Sequence, residues 1–180
     1  MQKKRAWLIC SFMIISVSMV SGKSLPNAGL AAGIGLPKIP LTHFRMPVSL
    51  TGKGFLDWQW HSRFGSHMDI GALTTFSLGT TDGRNGKLRF DLIWTTLNLT
   101  YRLRGDFRNT SHLVMGGGMY FLSQKFDDDT DSRKTPGLDI GLTNLRQGRG
   151  IAMYWGLRWH LLFNPDPKPQ VAILTFGLLL

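Results

Sequence analysis

Residues 151–180 read IAMYWGLRWHLLF-NPDPKPQ-VAILTFGLLL, two long segments of alternating character around a proline-rich turn. In the first, Ile151, Met153, Trp155, Leu157, Trp159, Leu161 and Phe163 recur at period two, which sets large apolar side chains along one face of a strand. Ala152, Tyr154, Gly156, Arg158, His160 and Leu162 occupy the other face, with a cation and a titratable ring in mid-strand. Asn164, Pro165, Pro167 and Pro169 break the run, because proline cannot donate to a ladder. The second segment places Ala172, Leu174, Phe176, Leu178 and Leu180 on one face. So apolar a pair of strands raises one question for the rest of the chain: which solvent does the greasy face meet?

At 180 residues, with 43% hydrophobic and 18% charged residues, the chain suits one domain and is neither disordered nor helical-membrane in composition. Its start has the layout of a secretory signal peptide: Lys3, Lys4 and Arg5, an apolar stretch over residues 6–20, then the small residues Ser21, Gly22 and Ser24. Residues 1–22 are expected to be removed, leaving 23–180 as one domain. Cys10 lies inside the leader, so the mature chain has no cysteine and no disulfide scaffold. The formal charge of +10 falls to +7, with 18 basic residues against 11 acidic ones. For an exported protein that charge suits a phosphate-rich lipid surface, and nucleic acid is not an expected partner.

Period two dominates the mature sequence, and no later apolar run is long enough for a spanning helix. Strands are expected over 27–36, 48–60, 67–78, 87–104, 113–124, 137–145, 151–163 and 171–180. The second sets Trp58 and Trp60 on the apolar face and Lys53 and Asp57 on the mixed one; the third sets Asp69 on the mixed face. In the fourth, Leu88, Phe90, Leu92 and Trp94 are even while Leu97, Leu99, Tyr101 and Leu103 are odd. A β-bulge near Thr95 and Thr96 restores one apolar face and leaves Arg89, Asp91, Asn98, Thr100, Arg102 and Arg104 on the other. In the fifth, Gly116, Gly117 and Gly118 suit a sharply curved strand, and both parities are apolar, so its facing stays open.

Eight antiparallel strands fit a soluble barrel with an apolar interior or a membrane barrel with an apolar exterior. Several strands run to about ten residues or more, the length of a tilted bilayer crossing. Lys53, Asp57, Asp69, Arg102, Arg158 and His160 are charged or titratable positions that suit a polar lumen, where opposite charges can pair. Trp58, Trp60, Trp94, Tyr101, Trp155 and Trp159 suit interfacial girdles on the lipid side. The expected fold class is therefore all-β, an eight-stranded antiparallel up-and-down transmembrane β-barrel.

The succession NLTYRLR, a turn, LVMGGGMYF, an acidic loop, PGLDIGLTNL, WGLRWHLLF and LTFGLLL resembles the outer-membrane β-barrels related to the OmpA transmembrane domain. The likeness covers residues 97–180 and extends to the first half by strand count; Leu180 stands where such chains usually end in an aromatic residue. The resemblance implies an outer-membrane location with both termini in the periplasm. It also implies contact with outer-membrane lipid, lipopolysaccharide and the machinery that assembles such barrels, and a monomer is expected. Loop lengths then put residues 37–47, 79–87, 125–136 and 164–170 outside the cell and 61–66, 105–111 and 146–150 in the periplasm.

The same residues bear on other chemistry. Asp127, Asp129 and Asp131 are oxygen ligands at close spacing, but Ser132 and Leu138 stand where a calcium loop needs glycine and glutamate, so no metal is expected. No cofactor is expected either. Ser66 beside His67, and Arg158 with His160, invite a lipid acyl hydrolase or transferase, yet neighbours on a strand point to opposite faces. An exported lipocalin-like binding barrel is the soluble alternative. The reading favoured is a structural or surface-interaction barrel whose outer loops carry any specificity.

Overall fold

The computed structural model describes residues 27–38, 49–81, 84–105, 109–126, 129–147, 151–164 and 169–180, with side chains left out of the description at 76–88 and 126–129. The signal-peptide reading of residues 1–22 and the candidate ligand Asp127 lie outside the described residues. Eight strands succeed one another along the chain: β1 (Asn27–Lys38), β2 (Ser49–Gln59), β3 (Phe64–Thr81), β4 (Arg84–Gly105), β5 (Asn109–Phe126), β6 (Asp129–Gln147), β7 (Ala152–Leu162) and β8 (Gln170–Leu179). Each pairs antiparallel with the next, and β8 returns to β1 from Gly29↔Leu179 to Lys38↔Gln170, so the sheet closes without an edge. The alternating segments on either side of the Pro-rich turn become β7 and β8, which meet from Met153↔Leu178 to Leu161↔Gln170.

Strand facing decides the solvent. Leu30, Leu50, Ile70, Ile93, Leu97, Met115, Ile140, Trp159 and Phe176 are exposed on the outer side of successive strands. Lys53, Asp69, Asp139, Arg158 and His160 are buried inside. Monomers in water rarely expose a continuous apolar surface of this extent, whereas a transmembrane barrel must. The apolar-interior architecture of a soluble binding barrel is the inverse of this arrangement.

Two features of the ladder differ from expectation. First, β4 has no bulge at Thr95 and Thr96: Ile70↔Thr95↔Met119 and Asp69↔Thr96↔Gly118 pair without a slip. Phe90, Leu92 and Trp94 therefore keep the parity of Thr96, Asn98 and Thr100 and point into the barrel. Arg89 and Asp91, expected inside, point outward, where Asp91 accepts from Thr74 and pairs with Arg89. The physical reason is that this part of the lumen is itself apolar, so an even-numbered apolar run satisfies burial without any change of face. The register shift in this pairing comes later, between Arg102 and Arg104.

Second, the segments expected as loops at 79–87 and 125–136 are largely strand. The β3–β4 ladder runs to Thr81↔Arg84 and the β5–β6 ladder to Phe126↔Asp129. Backbone hydrogen bonding needs no apolar face, so polar sequence continues the hairpins after the lipid-type alternation has ended. As a result β3 to β6 are 18–22 residues long, against 10–12 for the other four. They rise as a wall above the rim at the hairpin end, opposite the end that holds Asn27 and Leu180.

The facing of β5, open from sequence, is now set: Thr110, His112, Val114, Tyr120 and Leu122 point inward. Two of its glycines leave no room for a side chain beside the β4 backbone. A Cβ on Gly118 would lie 2.0 Å from the Thr95 carbonyl oxygen, and one on Gly116 2.3 Å from that of Leu97.

Candidate functional site

The charged side chains of the lumen converge in its middle. Alternation aims Lys53 (β2), Asp69 (β3), Asp139 (β6) and Arg158 with His160 (β7) inward, and closure of the sheet brings these distant strands face to face. Asp69 is the hub. Its Oδ1 accepts from Trp94 Nε1 at 2.8 Å and Thr96 Oγ1 at 2.9 Å. Its Oδ2 lies 3.5 Å from Lys53 Nζ, 3.3 Å from His67 Nε2 and 3.6 Å from Arg158 Nη2.

Arg158 grips Asp139 with two nitrogens: Nε donates to Oδ1 at 2.9 Å and Nη2 to Oδ2. Such a bidentate pair is the strongest geometry open to a guanidinium and a carboxylate. Charges thus alternate along a chain from Lys53 through Asp69 and Arg158 to Asp139. Because Asp69 belongs to β3 and Arg158 to β7, the chain crosses the lumen. Lys53 crosses too, donating to Tyr154 Oη at 3.0 Å and lying 5.1 Å from the centre of that ring. The Tyr120 hydroxyl sits 2.9 Å from His160 Nδ1, and His67 Nδ1 lies 3.6 Å from Asp57.

Apolar layers close both sides of this cluster. Toward the hairpin end lie Leu73, Phe90, Leu92, Leu122, Leu162 and Val171, with the bodies of Trp94 and Tyr120. Toward the terminal end, the Phe55 and Tyr154 rings meet in a tilted pair at 4.4 Å beside Ala31, with Leu145 and Leu179 packed against them. Glycines on facing strands make room for the large rings: a Cβ on Gly71 would meet Trp94 at 2.3 Å, and one on Gly137 would meet Tyr120 at 2.8 Å. Glycine opposite an aromatic ring is a recurrent way of fitting a tight barrel. Eight strands leave an interior about wide enough for side chains to fill, and among the described residues these charged and apolar groups occupy its middle.

Of the sequence candidates, Lys53, Asp57, Asp69, Arg158 and His160 are all buried in the lumen. Arg102 stands apart at the terminal end, half-buried, where its Nη2 donates to Gln59 Oε1 at 2.6 Å. Trp155 and Trp159 are exposed on the outer face, Trp58 and Tyr101 half-buried there, and Trp60 stacks on Phe64 at 6.2 Å near the terminal rim. Trp94 is a correction: at 1% exposure it is a lumen residue held by Asp69, not a girdle residue. His67, Asp139, Tyr120 and Tyr154 also belong to the cluster; Tyr154 lies on the face read from sequence for Arg158 and His160, and Tyr120 on the strand whose facing stayed open. His67 and Asp139 share the parity of Asp69 and the glycines 137 and 141, a signal present in the sequence.

Asp131 is exposed and pairs with Arg133, and among the described residues no group of three His, Cys, Asp or Glu side chains is placed to hold a metal. Ser66 accepts from Trp60 Nε1 at 3.0 Å on the outer face, while His67 lies inside. The two side chains are therefore on opposite sides of the wall. Arg158 and His160 are both buried beside Asp139, and the partner of His160 Nδ1 is the Tyr120 hydroxyl.

No protein-family model matches the chain, and no curated protein does. Solved structures do. Neisserial surface protein A, NspA, superposes with a TM-score of 0.62 over 86% of this chain and 96% of its own at 8% identity. The fold is that of the small outer-membrane barrels. The outer membrane enzyme PagL matches with a TM-score of 0.58 at 15% identity, covering 83% of this chain and 97% of that one. Ail, the attachment invasion locus protein of Yersinia pestis, matches with 0.53 at 11% identity, covering 87% and 100%. The resemblance to OmpA-type barrels read from the second half of the sequence thus holds for the fold of the whole described chain. Since the set spans a surface protein, an enzyme and an attachment protein, one fold carries several activities, and function has to be read from this chain's own side chains.

Proposed function

We propose that the protein is an integral barrel of a bacterial outer membrane with a structural or surface-interaction role, its specificity residing at the hairpin end. One observation carries the reading: a continuous apolar exterior surrounds a lumen packed shut by a braced charge cluster. Such a barrel anchors and displays, and it does not conduct. The termini then face the periplasm and the tall β3–β6 wall faces outward, since a crossing takes roughly 9–11 residues per strand and these strands have about twice that.

At the level where the outer apolar rows of β4–β6 end, charged side chains appear on the outward face, with Asp91 paired to Arg89 and the cations in excess. Arg89 and Lys125 are direct cross-strand partners, and Lys134 lies 5.2 Å from the ring of its partner Phe121. Phosphate-bearing lipopolysaccharide is the partner such a row fits, and the assembly machinery of the outer membrane is the partner needed for insertion. The test is cell fractionation coupled to gel migration with and without boiling. The expected outcome is an outer-membrane band whose migration shifts on heating; recovery as a soluble protein with no shift would refute the proposal.

A further inference from the structure

The register shift in the β4–β5 ladder leads to a second site, at the opposite end of the barrel. Pairing passes from Arg102↔His112 directly to Arg104↔Ser111, leaving Leu103 as the extra residue. A bulge reverses the facing of the residues beyond it. Arg102 shares its row with the buried His112, whereas Arg104 shares its row with Ser111 on the outer side. There Ser111 Oγ and Asn109 Oδ1 both accept from Asn144 Nδ2, at 2.9 and 2.8 Å.

Two recesses adjoin at this point. Arg104, Gly105, Asn109 and Ser111 line one of about 450 Å³. The other, of about 380 Å³, shares Asn109, is bordered by Arg146, and continues over Met153, Trp155 and Phe176. Each falls within the size range of small-molecule sites. Neither Arg104 nor Arg146 forms an ion pair with a described residue. They lie on β4 and β6, either side of β5 and two residues apart along the strands, so about 12 Å separates their backbones at the usual strand spacing and rise. That is within the combined reach of two arginine side chains.

We propose that the joined recesses hold one phosphodiester lipid of the periplasmic leaflet, its phosphate between Arg104 and Arg146 and an acyl chain over Met153, Trp155 and Phe176. Charge complementarity selects this occupant. Two guanidinium groups call for an anion that accepts several hydrogen bonds, as phosphate does, and the apolar recess beside them calls for a chain attached to it. Free phosphate satisfies the first demand alone. An uncharged lipid satisfies the second alone. The proposal rests on the membrane orientation in which the termini face the periplasm, and it also explains why the bulge is placed at Leu103: without it, Arg104 would point into the lumen.

Native mass spectrometry of the intact detergent-solubilised barrel tests it, with phosphatidylglycerol, uncharged diacylglycerol or inorganic phosphate added. One phosphatidylglycerol per barrel is expected to survive removal of the detergent, with neither other additive retained. In the Arg104→Gln/Arg146→Gln variant its retention should fall at least about tenfold, the effect of losing about one charge-assisted contact. Phe176→Ala keeps both arginines and should weaken retention less. Equal retention by the double variant, or equal retention of diacylglycerol, overturns the proposal, as does capture of inorganic phosphate alone. The heat shift of the double variant on a gel is read in parallel, so that a failure of the barrel to fold is told apart from a loss of the lipid.

Discussion

Replacing Asp69 by asparagine removes one charge and puts an amide donor where Oδ2 now faces Lys53, His67 and Arg158. The amide oxygen can still accept from Trp94 Nε1 and Thr96 Oγ1, the two donors now held by Oδ1. Lys53 is left with a neutral phenol at 3.0 Å and two aromatic rings, and Arg158 loses the second of its two carboxylates. Breaking a buried pair by removing one partner typically destabilises by about 3–5 kcal/mol, because the other charge stays buried. Arg158 keeps Asp139, so nearly all of the loss falls on Lys53. Lys53→Met alone leaves Asp69 facing Arg158 and His67 and should cost less, about 1–3 kcal/mol. In the double variant Asp69→Asn/Lys53→Met no buried ammonium is unpaired, and stability should return to within about 2 kcal/mol of the parent, since apolar replacement of a buried pair is often near neutral. Urea unfolding in lipid vesicles, monitored by tryptophan emission and gel migration, gives all three values. A double variant as unstable as the sum of the two single changes would sink the idea that Lys53 and Asp69 act as a coupled pair, as would an Asp69→Asn loss below about 1 kcal/mol.

The facing of the tryptophans is checked with brominated lipid, which quenches only residues near acyl chains: a variant retaining only Trp94 should keep its emission, and one retaining only Trp159, which is 53% exposed, should lose much of it. Quenching of Trp94 to the same extent would mean that the even residues of β4 face lipid after all. Gly118→Ala places a Cβ 2.0 Å from the Thr95 carbonyl oxygen, whereas the nearest atom to a Cβ on Gly52 is 4.0 Å away. The first substitution should lower the yield of heat-modifiable barrel sharply, whereas Gly52→Ala should change stability by no more than about 0.5 kcal/mol and leave the yield as in the parent; comparable yields from the two would contradict the lack of room beside Thr95.

Strand number, order and closure are legible in the sequence because alternation depends only on the two-residue period of a strand. The ends are less so. At 79–87 and 125–136 the chain turns polar, which reads as loop, yet the ladder continues there through backbone bonds that no side-chain pattern reports. Trp94 escapes the sequence reading for a related reason. A single apolar face along the whole of β4 puts it outside, while the lumen itself changes from polar near Asn98 and Thr100 to apolar at Leu92 and Phe90. Of the cluster, Lys53, Asp69, Arg158 and His160 are placed by parity alone. Their pairing is not, because which residues meet across a barrel depends on stagger between strands far apart in sequence.

Small residues along β1 explain why a brace across the lumen is needed. Its inward positions are Gly29, Ala31, Gly33 and Gly35, and the space they leave is taken by neighbours: a Cβ on Gly29 would meet the Phe55 ring at 2.4 Å, and one on Gly35 would meet Leu73 at 2.2 Å. The closing seam between β1 and β8 therefore draws on its backbone ladder and on side chains supplied from β2 and β3. Those two strands carry Lys53 and Asp69, and the other end of the charge chain lies on β6 and β7, the strands that lead into β8. Through Asp69–Arg158 and Lys53–Tyr154 the walls on either side of the seam are tied across the lumen, so the cluster holds the barrel shut where the seam has least side-chain packing of its own. The apolar layers above and below keep water from competing for those charges, which is the condition under which pairs of this kind stay strong.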